Sequence, residues 1–214
     1  MPTELTINEI YSSIQGESTW AGLPCVFVRL TGCDLRCTYC DTEYAFYQGK
    51  SMSLEEILRT VNKCGTPLVE ITGGEPLLQK NVHVLLKQLA DEGKTVLLET
   101  SGAHDISRCD PRVIRIVDIK CPSSRMARHN RWENIEHLRS KDEVKFVIGN
   151  REDFDWSVEV VQRYELTRRC PVLFSAVSEV LPLVTLAEWV RSCGLAVRLQ
   201  PQLHKILWGT SVSI

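Results

Sequence analysis

Apolar residues along this chain come in short, near-continuous runs, separated by stretches in which they recur every third or fourth position. The runs at 25–30, 68–72, 95–100, 113–119, 144–148, 172–177 and 196–200 are rich in Val, Ile, Leu and Phe. Such runs predict strands buried on both faces, as in a parallel sheet. Between them Leu54, Ile57, Leu58 and Val61 share one helical face, and so do Val82, Leu85, Leu86 and Leu89. Ser53 and Glu56 have capping-box spacing at the first of these helices, further helices are predicted over 153–164 and 185–193, and Gly93 and Gly194 stand at C-cap positions. Strands alternating with helices imply βα units with right-handed crossovers. A closed eight-stranded barrel takes roughly 250 residues, more than the 214 present. The expected fold is therefore α/β, an incomplete (partial) βα barrel of parallel strands with outer helices, forming a single domain over 1–214. Ligands of such a sheet bind at the C-terminal ends of its strands.

Composition narrows the partners. With 43% hydrophobic and 24% charged residues and a net charge of -2, the chain has no field to recruit nucleic acid or an anionic membrane. Small molecules are the expected partners. No run reaches the ~18 apolar residues of a membrane span, and the N-terminus has neither a basic start nor an apolar stretch; a cytoplasmic protein is expected. Nine cysteines are present, an odd number, and three crowd into residues 33–40. That points to a metal site in a reducing compartment rather than to a disulfide framework. Cys25, Cys64, Cys109, Cys121, Cys170 and Cys193 are scattered and read as buried small hydrophobes.

The clustered set, Cys33-Asp34-Leu35-Arg36-Cys37-Thr38-Tyr39-Cys40, directly follows the first strand run. Three thiolates on one short loop can each take an iron of a cubane and leave the fourth iron open. A structural zinc site would close with four ligands, yet no second CxxC follows and the nearest imidazole, His83, lies on a predicted helix. The second run ends in Thr72-Gly73-Gly74-Glu75-Pro76. Two glycines let the backbone approach a ligand, and a carboxylate beside exposed carbonyls accepts hydrogen bonds from an ammonium group.

CxxxCxxC with an aromatic before its last cysteine, followed at the next strand end by GGE, resembles the radical S-adenosylmethionine (SAM) superfamily. The resemblance implies a 4Fe-4S cluster on Cys33, Cys37 and Cys40 whose open iron binds SAM. It places SAM contacts at Tyr39, Cys40, Asp41, Gly74, Glu75, Ser101, Asp118, Ile119 and Lys120, and on the main chain near Ser175. Glu75 would hold the amino group and Lys120 would neutralise the carboxylate.

Ile14-Gln15-Gly16-Glu17, Arg29, Cys40-Asp41-Thr42, the stretch Leu199-Gln200-Pro201-Gln202-Leu203-His204-Lys205, and Trp208-Gly209 together resemble the 7-carboxy-7-deazaguanine synthase family from about 8 to 209. That implies radical ring contraction of 6-carboxy-5,6,7,8-tetrahydropterin with loss of ammonia, toward queuosine and related deazapurines. It also implies regenerated SAM, Mg2+ held by Thr42, and an electron donor such as flavodoxin or ferredoxin. Ile14, Gln15 and Gly16 would read the edge of the planar substrate, and Thr72 would touch it. Arg29 stands in an otherwise apolar run, where an unpaired charge is costly; its planar fork suits the substrate carboxylate. Two alternatives stay open, a radical SAM activase that makes a glycyl radical on a partner protein and a non-catalytic zinc-binding module. Ile206, Leu207 and Trp208 form an apolar end that predicts a homodimer.

Overall fold

In the computed structural model, which describes residues 3–209, all seven runs become strands of one sheet. In chain order the strands are β1 (Glu4–Ile14), β2 (Pro24–Leu30), β3 (Lys50–Ser53), β4 (Leu68–Gly73), β5 (Thr95–Thr100), β6 (Ile114–Asp118), β7 (Glu143–Ile148), β8 (Val172–Ala176) and β9 (Arg198–Leu199). They lie side by side as β3-β1-β2-β4-β5-β6-β7-β8-β9. From β2 to β9 every pairing is parallel, while β1 pairs antiparallel with both β2 and β3. The sheet is open, a partial barrel as expected.

Two strands, β1 and β3, are additions to the predicted set. In β1 only Leu5 and Ile7 alternate cleanly as buried residues before a register shift between Ile7 and Glu9. A bulge moves later side chains to the other face, so period-two patterning is lost partway along the strand. The last predicted strand shrinks to two residues in β9.

The helices are α1 (Leu54–Lys63), α2 (Val82–Asp91), α3 (Arg151–Arg163), α4 (Leu166–Arg169), α5 (Leu183–Ser192) and α6 (Leu203–Trp208). At the start of α1 the Ser53 hydroxyl accepts from Glu56 N at 3.2 Å, and the Glu56 carboxylate accepts from Ser53 N at 2.9 Å, closing the capping box. Gly93 and Gly194 take positive φ (+78° and +69°) just past α2 and α5, the left-handed cap that glycine adopts without strain. Outer α-helices are missing from two crossovers: nothing helical joins β5 to β6, and only short 3-10 helices of three to six residues join β6 to β7.

Alternation along the strands divides the buried residues between two faces. Val26, Val28, Leu30, Ile71, Leu98, Phe146 and Phe174 point outward and pack against Leu85, Leu86, Leu89, Phe154 and Leu186 of the helices. Each such side chain contributes about 1.5–3 kcal/mol by leaving water. On the inner face Cys25, Phe27, Leu68, Leu97, Ile114 and Ile116, with Tyr11 and Trp20, plug the N-terminal end of the partial barrel. Nearer the C-terminal strand ends the inner positions turn polar: Arg29 is in register with Thr72, and Asp118 with Lys145. That change from apolar floor to polar rim places the site.

Cys25, Cys109, Cys121 and Cys170 are buried as predicted, and Cys193 is half-buried. Cys64 departs from the prediction. It is the C-cap of α1 and is exposed to solvent. No helix among the described residues is long and apolar enough to cross a membrane.

Candidate active site

A funnel of about 630 Å3 opens at the C-terminal strand ends. Cys33, Cys37, Tyr39, Cys40, Asp41 and Thr42 line it from the loop after β2, and Ile14, Gln15 and Gly16 from the end of β1. Arg29, Thr72, Gly74, Ser101, Asp118 and Lys120 line it from strand ends, so these elements bring most predicted positions to one cavity. Glu75, Ile119 and Ser175 are not among the lining residues.

Each of those three has a physical reason. Glu75 is completely buried, and its carboxylate accepts from Leu77 N at 2.9 Å, Ser101 N at 2.7 Å and the Thr100 hydroxyl at 2.9 Å. Its oxygens tie the end of β4 to the end of β5, leaving no carboxylate to meet an ammonium group. Ile119 is buried apolar, and its N–H is taken by Lys145 O at 2.9 Å. The Ser175 hydroxyl turns away to donate to Gln200 O at 2.9 Å, and the funnel wall there consists of Ala176 to Val180.

The three thiols sit half-buried on one loop. Burial pushes all three toward the neutral thiol, Cys37 up to about 11, and Lys120 pulls each the other way. Among the described residues no three His, Cys, Asp or Glu side chains are gathered to hold one metal ion. A cubane does not require that gathering, since each thiolate takes its own iron. Gly74 packs so tightly that a Cβ there would strike Gly32 O and the Cys33 side chain, so only glycine lets β4 end against the cysteine loop. Lys120 donates to Asp118 Oδ2 at 2.6 Å. Its ammonium is thus held at the funnel wall beside Asp118. The other oxygen, Asp118 Oδ1, is buried without a partner. An orphaned buried acceptor on a residue that lines the funnel calls for a donor, which the ribose hydroxyls or ammonium group of SAM would supply.

At the opposite wall Arg29 Nε meets Glu9 Oε1 at 2.7 Å, and Nη2 donates to the Tyr11 hydroxyl at 3.0 Å. Its guanidinium lies 5.7 Å from the centre of the Tyr44 ring, and the Tyr44 hydroxyl donates to the same Glu9 oxygen at 3.0 Å. Hence the arginine is not waiting for its first counter-charge. It is held in place by Glu9, with Tyr11 and Tyr44 fixing the plane of the fork. Gln15 also departs from the prediction: its amide donates to Glu70, and its carbonyl accepts from Glu17 N at 3.0 Å. Gln15 shapes the loop, and the neighbouring main chain is left to read a ligand edge.

Three charged residues to which the sequence assigns no role form the centre of the rim. Lys145 donates to Glu17 at 2.6 Å and to Glu99, and Glu17 accepts from Gln202 at 2.8 Å. Burial alone would disfavour the ammonium, but Glu17, Glu99 and Asp118 more than offset it and hold Lys145 well above its ordinary range. Glu17 is lowered by Lys145 against the same burial. Below them Glu70, in register with Phe27 and Leu97 of the apolar floor, is pushed well up by burial and then by Glu99. A lone charge in an apolar run marks Glu70 and Lys145 in the sequence, Leu-Val-Glu-Ile at 68–71 and Val-Lys-Phe-Val at 144–147, the same sign that marks Arg29.

Glu70 makes stability depend on pH. Its folded value lies above its ordinary 4.5, so folding takes up a proton, and the stabilisation it contributes is complete below that value and is lost as pH rises toward the raised one. Glu70→Gln keeps an acceptor for Gln15 and never ionises. The melting temperature of the variant should therefore gain on that of the parent as pH increases, and a constant difference would contradict a neutral Glu70.

Helix α6 and the chain before it cross the mouth. Leu203 N donates to Gly16 O at 2.9 Å, and Lys205 Nζ meets Asp41 at 2.8 Å. Against burial, Lys205 and Thr42 hold the Asp41 carboxyl down to about 2, yet Asp41 is 56% exposed, so screening leaves the pair a weak strut. Trp208 lines the funnel, while Ile206 and Leu207 face solvent.

Comparison with known proteins agrees with this geometry. Residues 27–118 match the model of the Radical SAM superfamily. A 7-carboxy-7-deazaguanine synthase of Chlorobaculum tepidum is 44% identical, covering 97% of this chain and 97% of its own. One from Koribacter versatilis is 42% identical over 95% of this chain and 97% of its own. The crystal structure of QueE from Escherichia coli superposes with a TM-score of 0.77 at 25% identity, covering 94% of this chain and 95% of that one.

Proposed function

This chain belongs to the 7-carboxy-7-deazaguanine synthase family of the radical SAM superfamily, and on that premise we propose which of its residues carry the family's chemistry. The enzyme is a radical SAM lyase that converts 6-carboxy-5,6,7,8-tetrahydropterin to 7-carboxy-7-deazaguanine with release of ammonia. It uses a 4Fe-4S cluster, SAM and Mg2+. When bound, the cluster and SAM supply a 5'-deoxyadenosyl radical, the source of the hydrogen abstraction that starts the rearrangement.

The observation that carries the assignment of roles is the convergence of Cys33, Cys37 and Cys40 with Arg29, Thr72 and Asp118 on one funnel. Cys33, Cys37 and Cys40 anchor the cluster. Asp118 Oδ1, Ser101 and the close-packed Gly74 main chain receive the polar groups of SAM. Arg29, held by Glu9 and the two tyrosines, pairs with the substrate carboxylate, with Thr72 beside it in register. Glu17 and Glu99, both held by Lys145, accept from the N–H groups of the pterin, and the Ile14 to Gly16 main chain borders its edge. Thr42, whose hydroxyl donates to Asp41 at 3.0 Å, offers Mg2+ one oxygen, the remaining ligands being substrate and water. Trp208 and His204 cover the mouth. We assign the reductant to the flavodoxin or ferredoxin class, the setting to the cytoplasm, and the exposed Ile206 and Leu207 to a homodimer contact.

Incubating the reduced, reconstituted enzyme with SAM and the carboxytetrahydropterin should yield the deazaguanine acid by mass. Absence of that product from a cluster-loaded, SAM-cleaving enzyme would overturn the substrate. Arg29→Lys keeps the charge but loses the fork, so kcat/KM for the pterin should fall about 10- to 100-fold, the worth of a charge-assisted bond. SAM binding should be unchanged, and its loss would remove Arg29 from the substrate wall. Thr42→Ala should raise the Mg2+ concentration needed for half-maximal rate, whereas an unaltered metal titration would take Thr42 out of the site.

A further inference from the structure

The face of the molecule beside the cysteine loop differs in charge from the rest of the chain. Residues 122–131 read Pro-Ser-Ser-Arg-Met-Ala-Arg-His-Asn-Arg, with three arginines, a histidine and no acid, in a protein whose net charge is -2. Arg125, Arg128, His129 and Arg131 are all exposed. Among the described residues no carboxylate pairs with Arg125 or Arg128, and Arg131 reaches Glu133 only at 4.0 Å. Arg36 of the cysteine loop is exposed as well. Its guanidinium donates to the main-chain oxygens of Cys33 and Leu35, at 2.7 and 2.6 Å, and lies 4.4 Å from the centre of the Phe46 ring, so it too keeps its charge without an acid partner.

The basic segment is fastened directly to that loop. Thr38 donates to Ser124 O at 3.3 Å through its N–H and to Ser123 O at 2.7 Å through its hydroxyl, and Arg36 N points to Met126 Sδ at 3.4 Å. Two 3-10 turns, Pro122–Ser124 and Ala127–His129, and reciprocal 2.9 Å bonds between Asn130 and the Lys120 main chain keep it ordered. Arg125 adopts φ +61°, a strained choice for a residue with a side chain and one that persists only where the surroundings dictate it. The arginines are thus presented on a stiff frame a few residues from the cluster anchors.

We propose that Arg36, Arg125, Arg128 and Arg131 form the docking surface for an acidic one-electron carrier protein that reduces the cluster. The proposal rests on Cys33, Cys37 and Cys40 being the cluster anchors. One electron passes from the reduced carrier to the cluster, so the carrier is oxidised, the cluster is reduced and no atom is transferred. Short-lived redox encounters use small surfaces steered by complementary charge, which matches a basic patch limited to one loop and its neighbour. A nucleic-acid strand would require basic residues along an extended track, and the acidic balance of the whole chain opposes that.

The test uses the cluster-loaded enzyme and an Arg125→Glu/Arg128→Glu variant, with cluster reduction followed by bleaching of its visible absorption. Dithionite should reduce both proteins at the same rate. A flavodoxin in its hydroquinone form should reduce the variant at least about tenfold more slowly, and added salt should slow the parent toward the variant. Arg125→Lys/Arg128→Lys should retain most of the parent rate. An unchanged flavodoxin rate overturns the proposal. Equal slowing with dithionite also overturns it, since the arginines would then be shaping the cluster loop. So does salt-sensitive RNA binding lost in the variant while the flavodoxin rate stays the same. Failure of the parent to hold a cluster at all would instead sink the assignment of the three cysteines.

Discussion

Replacing Cys37 with alanine is expected to abolish the visible charge-transfer absorption of the reconstituted enzyme and all SAM cleavage, while its far-ultraviolet circular dichroism stays that of the parent. One of three iron anchors is lost, and the cubane has no protein ligand to spare. The fold should persist because the cysteine loop is not what holds the sheet together. The apolar surface is buried mainly between strands and helices, around Leu85, Leu89, Phe146 and Phe174, and a fold of this size buries most of its stabilising area without a metal. A small zinc-dependent module would instead unfold on losing its metal. Cys33→Ala and Cys40→Ala should behave like Cys37→Ala. Cys64→Ala, at the exposed end of α1, should leave both cluster and activity intact. Iron retained in Cys37→Ala, or global unfolding on metal removal, would contradict the cluster assignment.

Lys145→Met should cost the enzyme both its stability and its turnover. The ammonium is buried and answers two carboxylates from different parts of the chain, Glu17 before β2 and Glu99 on β5. Removing one partner from such a group leaves charge buried without compensation, which costs about 3–5 kcal/mol, a large share of an ordinary domain's stability. The melting temperature should drop by roughly 6–20 °C at this chain length. Pterin turnover should fall at least 100-fold, because Glu17 would take up a proton or move. Adding Glu99→Gln removes one of the stranded charges, so the double variant should recover part of the lost melting temperature. Equal melting curves for Lys145→Met and the parent would show the cluster of charges to be solvated after all.

How much of this was legible in the sequence follows from how far apart the interacting groups lie along the chain. Cys33, Cys37 and Cys40 fall within eight residues, so their spacing, with the Gly-Gly-Glu at the next strand end, points to a cluster loop. The capping box of α1 and the glycine caps are equally local. The parallel strands announce themselves because both of their faces are buried, which leaves unbroken apolar runs. By contrast β1 is half-solvated and bulged, and its alternation fades where it supplies Glu9 and Tyr11.

Arg29 was identifiable as a buried charge that needs a partner, but the identity of that partner was not, because Glu9 meets it only through antiparallel pairing of β1 with β2. Glu75 shows the converse: its motif suggests a ligand group, and packing turns its carboxylate inward to Thr100 and Ser101. Local order along the chain is enough to specify the cysteine loop, the helix caps and the parallel α/β layout. Which buried charges satisfy one another, and which remain for a ligand, is settled by the folded arrangement. Electrostatic and hydrogen-bond partners are chosen by distance in space, and the fold brings together residues as far apart as Glu17, in the loop after β1, and Lys145 on β7 that no spacing rule connects.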